Sequence, residues 1–312
     1  MARFDYLLQK IVDAPYETDP FRHVYIQDFF SAADFAEIVG APEIDVPAAS
    51  SDDELFDILH AHGYRAVQFP GCITSRDDYI RWHARRKTSH KIHSACEGFG
   101  VTLRLAEART PLIAELMQFL SSERFNRTLA EKFDLRLERS IVDNGIQKYL
   151  DGYEISPHPD IRAKAATFMV NINPHPNAET LEHHTHYLRF RPKYEGVQQK
   201  WEEAPNFDRC WVPWGWCDTV KTQPKNNSIV LFSPQNDTVH AVRARYDHLP
   251  AQRTQLYGNL WHADYPKLTT REWEDLGMDK GELTLAGAKR MAIRALRSAK
   301  RGLVSGKAGE SV

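Results

Sequence analysis

The sequence predicts an α+β domain whose core is a β-sandwich or barrel. Two observations carry this. Helical periodicity dominates the first ~135 residues, and short β-rich runs separated by turn residues fill the stretch from 137 to 261, before helical character returns. At 312 residues the chain can bury a sizeable core, and its 42% hydrophobic and 26% charged residues are ordinary for a globular protein. A net charge of -2 gives no general attraction to nucleic acid or anionic lipid. The four cysteines (Cys72, Cys96, Cys210, Cys217) form no CxxC pair, which fits a reducing compartment. No apolar run approaches the ~18 residues of a membrane span, so no stable membrane insertion and a cytoplasmic location are expected.

The elements follow in order. HVYIQDF (His23 to Phe29) alternates like a short strand, and Ser31 is placed to cap a helix over SAADFAEIV. Residues 52–62 and 77–86 read as helices. Pro111 to Phe119 is an amphipathic helix with proline near its first turn, and Ser122 to Phe133 is another. Strands are expected at 137–149, 165–172, 185–191, 228–232, 238–246 and 253–261. The stretch 192–225 reads as a long irregular insertion with four tryptophans, a substrate platform or a small core of its own. Residues 269–312 read as a basic helical extension with a Gly/Ser/Lys tail. It is either a surface helix or a contact for anionic membrane or nucleic acid.

The chemistry concentrates in HPD, at His158 and Asp160. If residues 156–160 are extended, both side chains point the same way, because alternate residues of a strand share a face. Proline between them removes one backbone donor, which a strand end tolerates. A third ligand is needed, and His240 in NDTVHAVRARY is the best placed. Two histidines and one carboxylate on one face of a metal form the site of non-heme Fe(II) oxygenases. In RTQLYGNLW, alternation puts Arg253, Gln255 and Tyr257 on one face, and Leu256 and Leu260 on the other, toward the N-terminal helices. Arg253 would then offer its fork to a carboxylate inside the barrel. Arg162 and Lys164, just after HPD, are either a greeting for an anionic substrate or a solvated edge. Walker-type, GxGxxG and G-x-S-x-G runs are absent.

Taken together, HPD, TFMVNIN (Thr167 to Asn173), SIVLF, His240, RTQLYGNLW and the opening VYIQDFFSAADFAEI resemble the Fe(II)/2-oxoglutarate-dependent oxygenases, in particular the prolyl-hydroxylase-like branch. The resemblance spans roughly residues 21–262. It implies a double-stranded β-helix (jelly-roll) core over 136–265, flanked by the helical N-terminal region (residues 1–135) and the C-terminal extension, with 1–268 as one oxygenase domain. It implies iron held by His158, Asp160 and His240, and 2-oxoglutarate with its distal carboxylate on Arg253. Tyr149 corresponds to the family's cosubstrate tyrosine, and Thr167 and Asn171 are expected on the cosubstrate side. Many members carry an aromatic residue where this chain has Asn171, and typical members lack the 192–225 insertion.

The reaction so implied consumes 2-oxoglutarate and O2, releases succinate and CO2, and hydroxylates an unactivated C–H. Related halogenases have Gly or Ala where Asp160 stands, so the carboxylate points to hydroxylation. The expected substrate is a small polar metabolite or saccharide rather than nucleic acid. A peptidyl (prolyl-type) hydroxylase, a cupin-type dioxygenase that uses no oxoacid and a non-catalytic jelly-roll ligand-binding protein are the alternatives.

Overall fold

The computed structural model describes residues 2–69, 72–85, 98–208 and 210–266. The expected helical extension at 269–312 lies outside them, as does Cys96. None of the described helices is long and apolar enough to cross a membrane.

Helices α1 (Tyr6–Asp13), α2 (Ala32–Val39), α3 (Asp52–Ala61), α4 (Arg76–Arg85), α5 (Pro111–Ser121) and α6 (Glu123–Lys132) precede most of the sheet. Their ends follow local chemistry. Ser31, Ser51 and Ser122 each accept a bond from the backbone N–H three residues on, and α5 opens on proline. Three short strands, β1 (Val24–Ile26), β2 (Tyr64–Ala66) and β3 (Thr102–Leu105), interrupt this helical region. The last two carry too few residues to show a period in the sequence.

The remaining strands are β4 (Ser140–Tyr149), β5 (Glu154–His158), β6 (Lys164–Asn171), β7 (Thr185–Phe190), β8 (Cys217–Thr222), β9 (Ile229–Phe232), β10 (His240–Arg243) and β11 (Arg253–His262). They form two antiparallel sheets. The larger has the order β1-β9-β6-β11-β4-β3-β2 and the smaller β5-β10-β7-β8. β8 lies inside the 192–225 insertion, which also contributes α7 (Glu195–Glu202). The sequence hid this strand because it is an edge with mostly exposed side chains and no alternation of burial.

One face of the large sheet packs on the helices. Leu256, Leu260, Ile146, Phe168 and Val170 share a buried cluster with Leu7, Ile38, Leu59, Leu116 and Phe125. Gly258 makes the closest approach possible, since a Cβ there would meet the ring of its cross-strand partner Phe168 at 2.3 Å. The other face looks across a cavity to the small sheet. Arg253, Gln255, Tyr257 and Asn259 of β11 line that cavity, as the alternation predicts.

On the helix-facing side sits a charge that the core barely tolerates. Lys148 of β4 is fully buried and donates to Ile44 O (2.8 Å) and Thr254 Oγ1 (2.9 Å). Burial drives its pKa down to about 7 against a small opposing pull from Asp45. The unfolded chain keeps that proton to about pH 10.4. Between the two values the unfolded state holds more protons, so stability contributed at this position rises with pH. Urea unfolding of wild type and Lys148→Met from pH 7 to 10 should show the wild type gaining on the variant by up to about 1.4 kcal/mol per pH unit. Parallel curves would refute the assignment.

Candidate metal and cosubstrate site

The site begins with strand register. β10 runs antiparallel to β5 with His240 directly opposite His158, and the two imidazole centroids are 4.3 Å apart. His158 Nδ1–H donates to Ser156 O (2.8 Å) and His240 Nδ1–H to Thr238 O (2.9 Å). A carbonyl can only accept, so these bonds fix the ring orientation and leave both Nε2 atoms turned toward Asp160. Burial, then the neighbouring His158, holds His240 down at about 3, so its Nε2 lone pair is free.

Asp160 arrives by a different route from the one alternation suggests. β5 ends at His158, and Asp160 takes φ 75° beyond it, in the left-handed region. Pro159 cannot donate to a ladder, and aspartate is among the few residues that adopt this conformation readily. The turn, not an extended strand, brings the carboxylate to the histidines. His158 Nε2 lies 3.7 Å from Asp160 Oδ1 and His240 Nε2 3.9 Å from Oδ2. Two imidazole nitrogens and a carboxylate converging from one side are a donor set suited to a divalent transition metal, with one face left open.

Both carboxylate oxygens are also held from behind. Lys164 Nζ donates to Oδ1 (2.6 Å) and to the Tyr257 hydroxyl (2.9 Å). Thr167 Oγ1 lies 3.1 Å from both Oδ2 and Asn259 Oδ1. Burial alone would raise the Asp160 carboxyl, but the Lys164 ammonium and the two histidines outweigh it and hold it well below the usual range. The solvated-edge alternative for Lys164 is thereby excluded, because its side chain is 11% exposed. The cause is a bulge. The β6–β11 register slips between Leu260 and Trp261, so Lys164 pairs with Trp261 and turns inward. Arg162 is bound elsewhere, to Phe207 O and Trp201 O and over the Trp201 ring.

At the other end of the cavity lies Arg253. It is buried, with Nη2 donating to Thr185 Oγ1 (2.9 Å) and its Nε without a partner. Its guanidinium sits 4.8 Å from the Tyr149 ring centre. Burial in this tyrosine-rich wall lowers its pKa, the expected strain of a cation lacking a counter-charge. Tyr149 lines the cavity, and its hydroxyl bonds to the Gln147 side chain. Thr167 serves Asp160 rather than the cavity. Asn171 is likewise outside the lining: its amide nitrogen donates to Gln223 O and Lys225 O, and its oxygen accepts from Gln255. The cavity holds about 370 Å³. Of the insertion's tryptophans, Trp211 lines it, while Trp201 packs under Arg162 and Trp216 stacks on Tyr194.

Sequence reasoning missed Thr185, Asn259 and the Arg104–Asp143 pair (2.7 Å) on the cavity wall. A usable signal existed only for the last. Gly145 lies where a Cβ would come within 3.0 Å of Arg104, so the glycine leaves room for that side chain to cross β4.

A second His/Asp/His group, Asp52, His83 and His248, does not suit a cation. His248 Nδ1 accepts from the Asp151 N–H (2.8 Å), so its proton is on Nε2, which donates to Asp52 Oδ1 (2.7 Å). His83 bridges Asp52 (2.6 Å) and Asp151 (3.0 Å). These bonds use the ring nitrogens that a metal would need.

Neither a family model nor a curated protein matches the sequence. Among solved structures the chain is similar to a prolyl hydroxylase from Trichoplax adhaerens in complex with a hypoxia inducible factor peptide. Identity is 12% over 83% of this chain and 89% of that one, with a TM-score of 0.40. A Pseudomonas putida prolyl-4-hydroxylase gives 8%, 83%, 98% and 0.37 in the same order. HygX from Streptomyces hygroscopicus, with nickel and 2-oxoglutarate bound, gives 8%, 82%, 85% and 0.34. TM-scores below 0.5 are too low to carry an assignment, so function rests on the residues of the site.

Asp160→Ala should leave the Lys164 ammonium buried without its counter-charge. Urea unfolding is expected to show a loss of ~3 kcal/mol, and Mn(II) should no longer raise the melting temperature. Adding Lys164→Met should recover most of the stability and none of the Mn(II) response. Equal stability of the single variant and wild type would contradict the pairing.

Proposed function

We propose that the protein is an Fe(II)- and 2-oxoglutarate-dependent dioxygenase on a jelly-roll core, hydroxylating an unactivated C–H of a small polar molecule. One observation carries the reading. A single cavity between two antiparallel sheets has a His158/Asp160/His240 donor set at one end and a buried guanidinium with an unpartnered Nε at the other. A dianion that chelates a metal through one end and presents a carboxylate at the other suits these two groups on one cavity.

When bound, the iron and the oxoacid with O2 supply the oxidising chemistry, releasing succinate and CO2. The chain supplies the rest. His158 and His240, oriented by Ser156 O and Thr238 O, would hold the metal with Asp160. Arg253 would receive the distal carboxylate in place of solvent, with Thr185 beside it and the Tyr149 ring flanking it. Apolar walls that include Met169, Ile155, Val242 and Trp211 exclude water from the reacting centre. Cys210 also lines the wall, but burial pushes its thiol up to about 12, so it offers no competing thiolate ligand at neutral pH. The volume of about 370 Å³ must hold the cosubstrate as well, which favours a small substrate over a peptide segment.

Succinate should form from 2-oxoglutarate only with Fe(II) and O2 present. Arg253→Met should raise KM for 2-oxoglutarate at least thirtyfold, the equivalent of about 2 kcal/mol, while the Kd for Mn(II) stays within about threefold. A metal-binding protein that forms no succinate would instead be a ligand-binding protein. An Arg253→Met variant with unchanged KM would point to a dioxygenase that uses no oxoacid.

A further inference from the structure

The charged side chains that line the cavity do not balance. Arg104, Lys164 and Arg253 stand against Asp143 and Asp160, three cations to two carboxylates. Arg104 is matched by Asp143 at 2.7 Å. Lys164 is matched by Asp160 at 2.6 Å, and Arg253 has only a hydroxyl and an aromatic face. Under the dioxygenase reading, on which this inference rests, a divalent cation and a dianionic cosubstrate enter together and cancel. The surplus of one positive charge remains, but it moves. The cosubstrate's carboxylate answers Arg253, and Asp160 turns its charge to the metal. Lys164 is then the cation short of a counter-charge, with a side chain 11% exposed. A buried ammonium in that condition is costly unless an anion joins it.

We propose that the substrate carries an oxyanion, a carboxylate or a phosphate monoester, which docks on Lys164 Nζ and the Tyr257 hydroxyl beside the metal. The surroundings suit this. Tyr257 OH lies 2.9 Å from Nζ and makes only a long 3.3 Å bond to Asn259 Oδ1, so its proton can be redirected to an incoming oxygen. The Tyr257 and Trp261 rings flank the ammonium at 5.6 and 5.7 Å and give the anion's carbon frame an apolar wall. A neutral analogue of the same shape would leave the ammonium unpaired, so the site rejects it by cost rather than by clash. Lys164 is thus a specificity-determining residue.

The test uses the full chain loaded with Mn(II) and N-oxalylglycine, an unreactive 2-oxoglutarate analogue, with calorimetric titration. One arm titrates small aliphatic and aromatic carboxylates against their primary amides. The other titrates phosphate monoesters against their parent alcohols. At least one anion should bind tenfold or more tightly than its neutral partner, and the arm in which this happens identifies the oxyanion. Lys164→Met, saturated with Mn(II) and N-oxalylglycine at concentrations raised to offset any weakened metal binding through Asp160, should bring that ratio within about threefold of unity. Tyr257→Phe should lower the ratio severalfold and decides the matter if the Lys164 variant does not fold. No anion preference in either arm, or a preference that survives these substitutions, overturns the proposal. Failure of the wild type to take up Mn(II) with N-oxalylglycine overturns the dioxygenase reading itself, and this proposal with it.

Discussion

Everything at the site depends on the antiparallel pairing of β5 with β10. That ladder sets His240 opposite His158, and a one-residue slip would send one imidazole to the opposite face of the sheet. Register is protected on both sides. β7 pairs with the other edge of β10, placing Tyr187 beside His240, and the Arg243–Glu154 bidentate contact locks the far end of the β5–β10 pair. The two candidate histidine donors therefore inherit their geometry from backbone hydrogen bonds rather than from flexible side chains. Asp160 alone is supplied by a turn, and it alone is gripped through both oxygens, by Lys164 and Thr167.

The large sheet performs a complementary task. β11 and β6 carry groups that line the cavity, and their opposite faces are cemented into the helical layer by Leu256, Leu260, Phe168 and Val170. Arg253 is held at its backbone too: its N–H donates to the Tyr246 hydroxyl, which itself donates to Tyr149 O. A guanidinium set this firmly loses little freedom when a carboxylate arrives, so more of the interaction appears as affinity.

Much of this was legible in the sequence, and what was not has physical causes. HPD, the distal histidine and RTQLYGNLW were visible through residue type, and alternation served for Arg253, but the turn that delivers Asp160 was not visible. The helix starts were visible because serine caps and Pro111 act locally. Lys164 was not. Simple alternation from Thr167 places it on the outer face, and only the bulge opposite Leu260 and Trp261 reverses it. Asn171 was read as a cavity residue since it shares a face with Met169. Its amide is instead consumed by the backbone of Gln223 and Lys225, a contact between segments more than fifty residues apart. β8 escaped because edge strands with exposed side chains carry no period. Long-range pairing decides each of these cases, and local pattern cannot register it.

The Asp52–His83–Asp151–His248 clasp has a consequence for how the molecule comes apart. It ties α3 and α4 to the turn after β4 and to the loop leading into β11, joining residues as far as 196 positions apart. Tyr79 adds a bond to Asp151 O in the same place. The helical layer and the strands thus share one buried polar junction that neither can satisfy alone. Melting is accordingly cooperative across the two layers, and a fragment beginning at β4 would carry Asp151 and His248 without their partners. Closing so many distant contacts also costs loop entropy before any is rewarded.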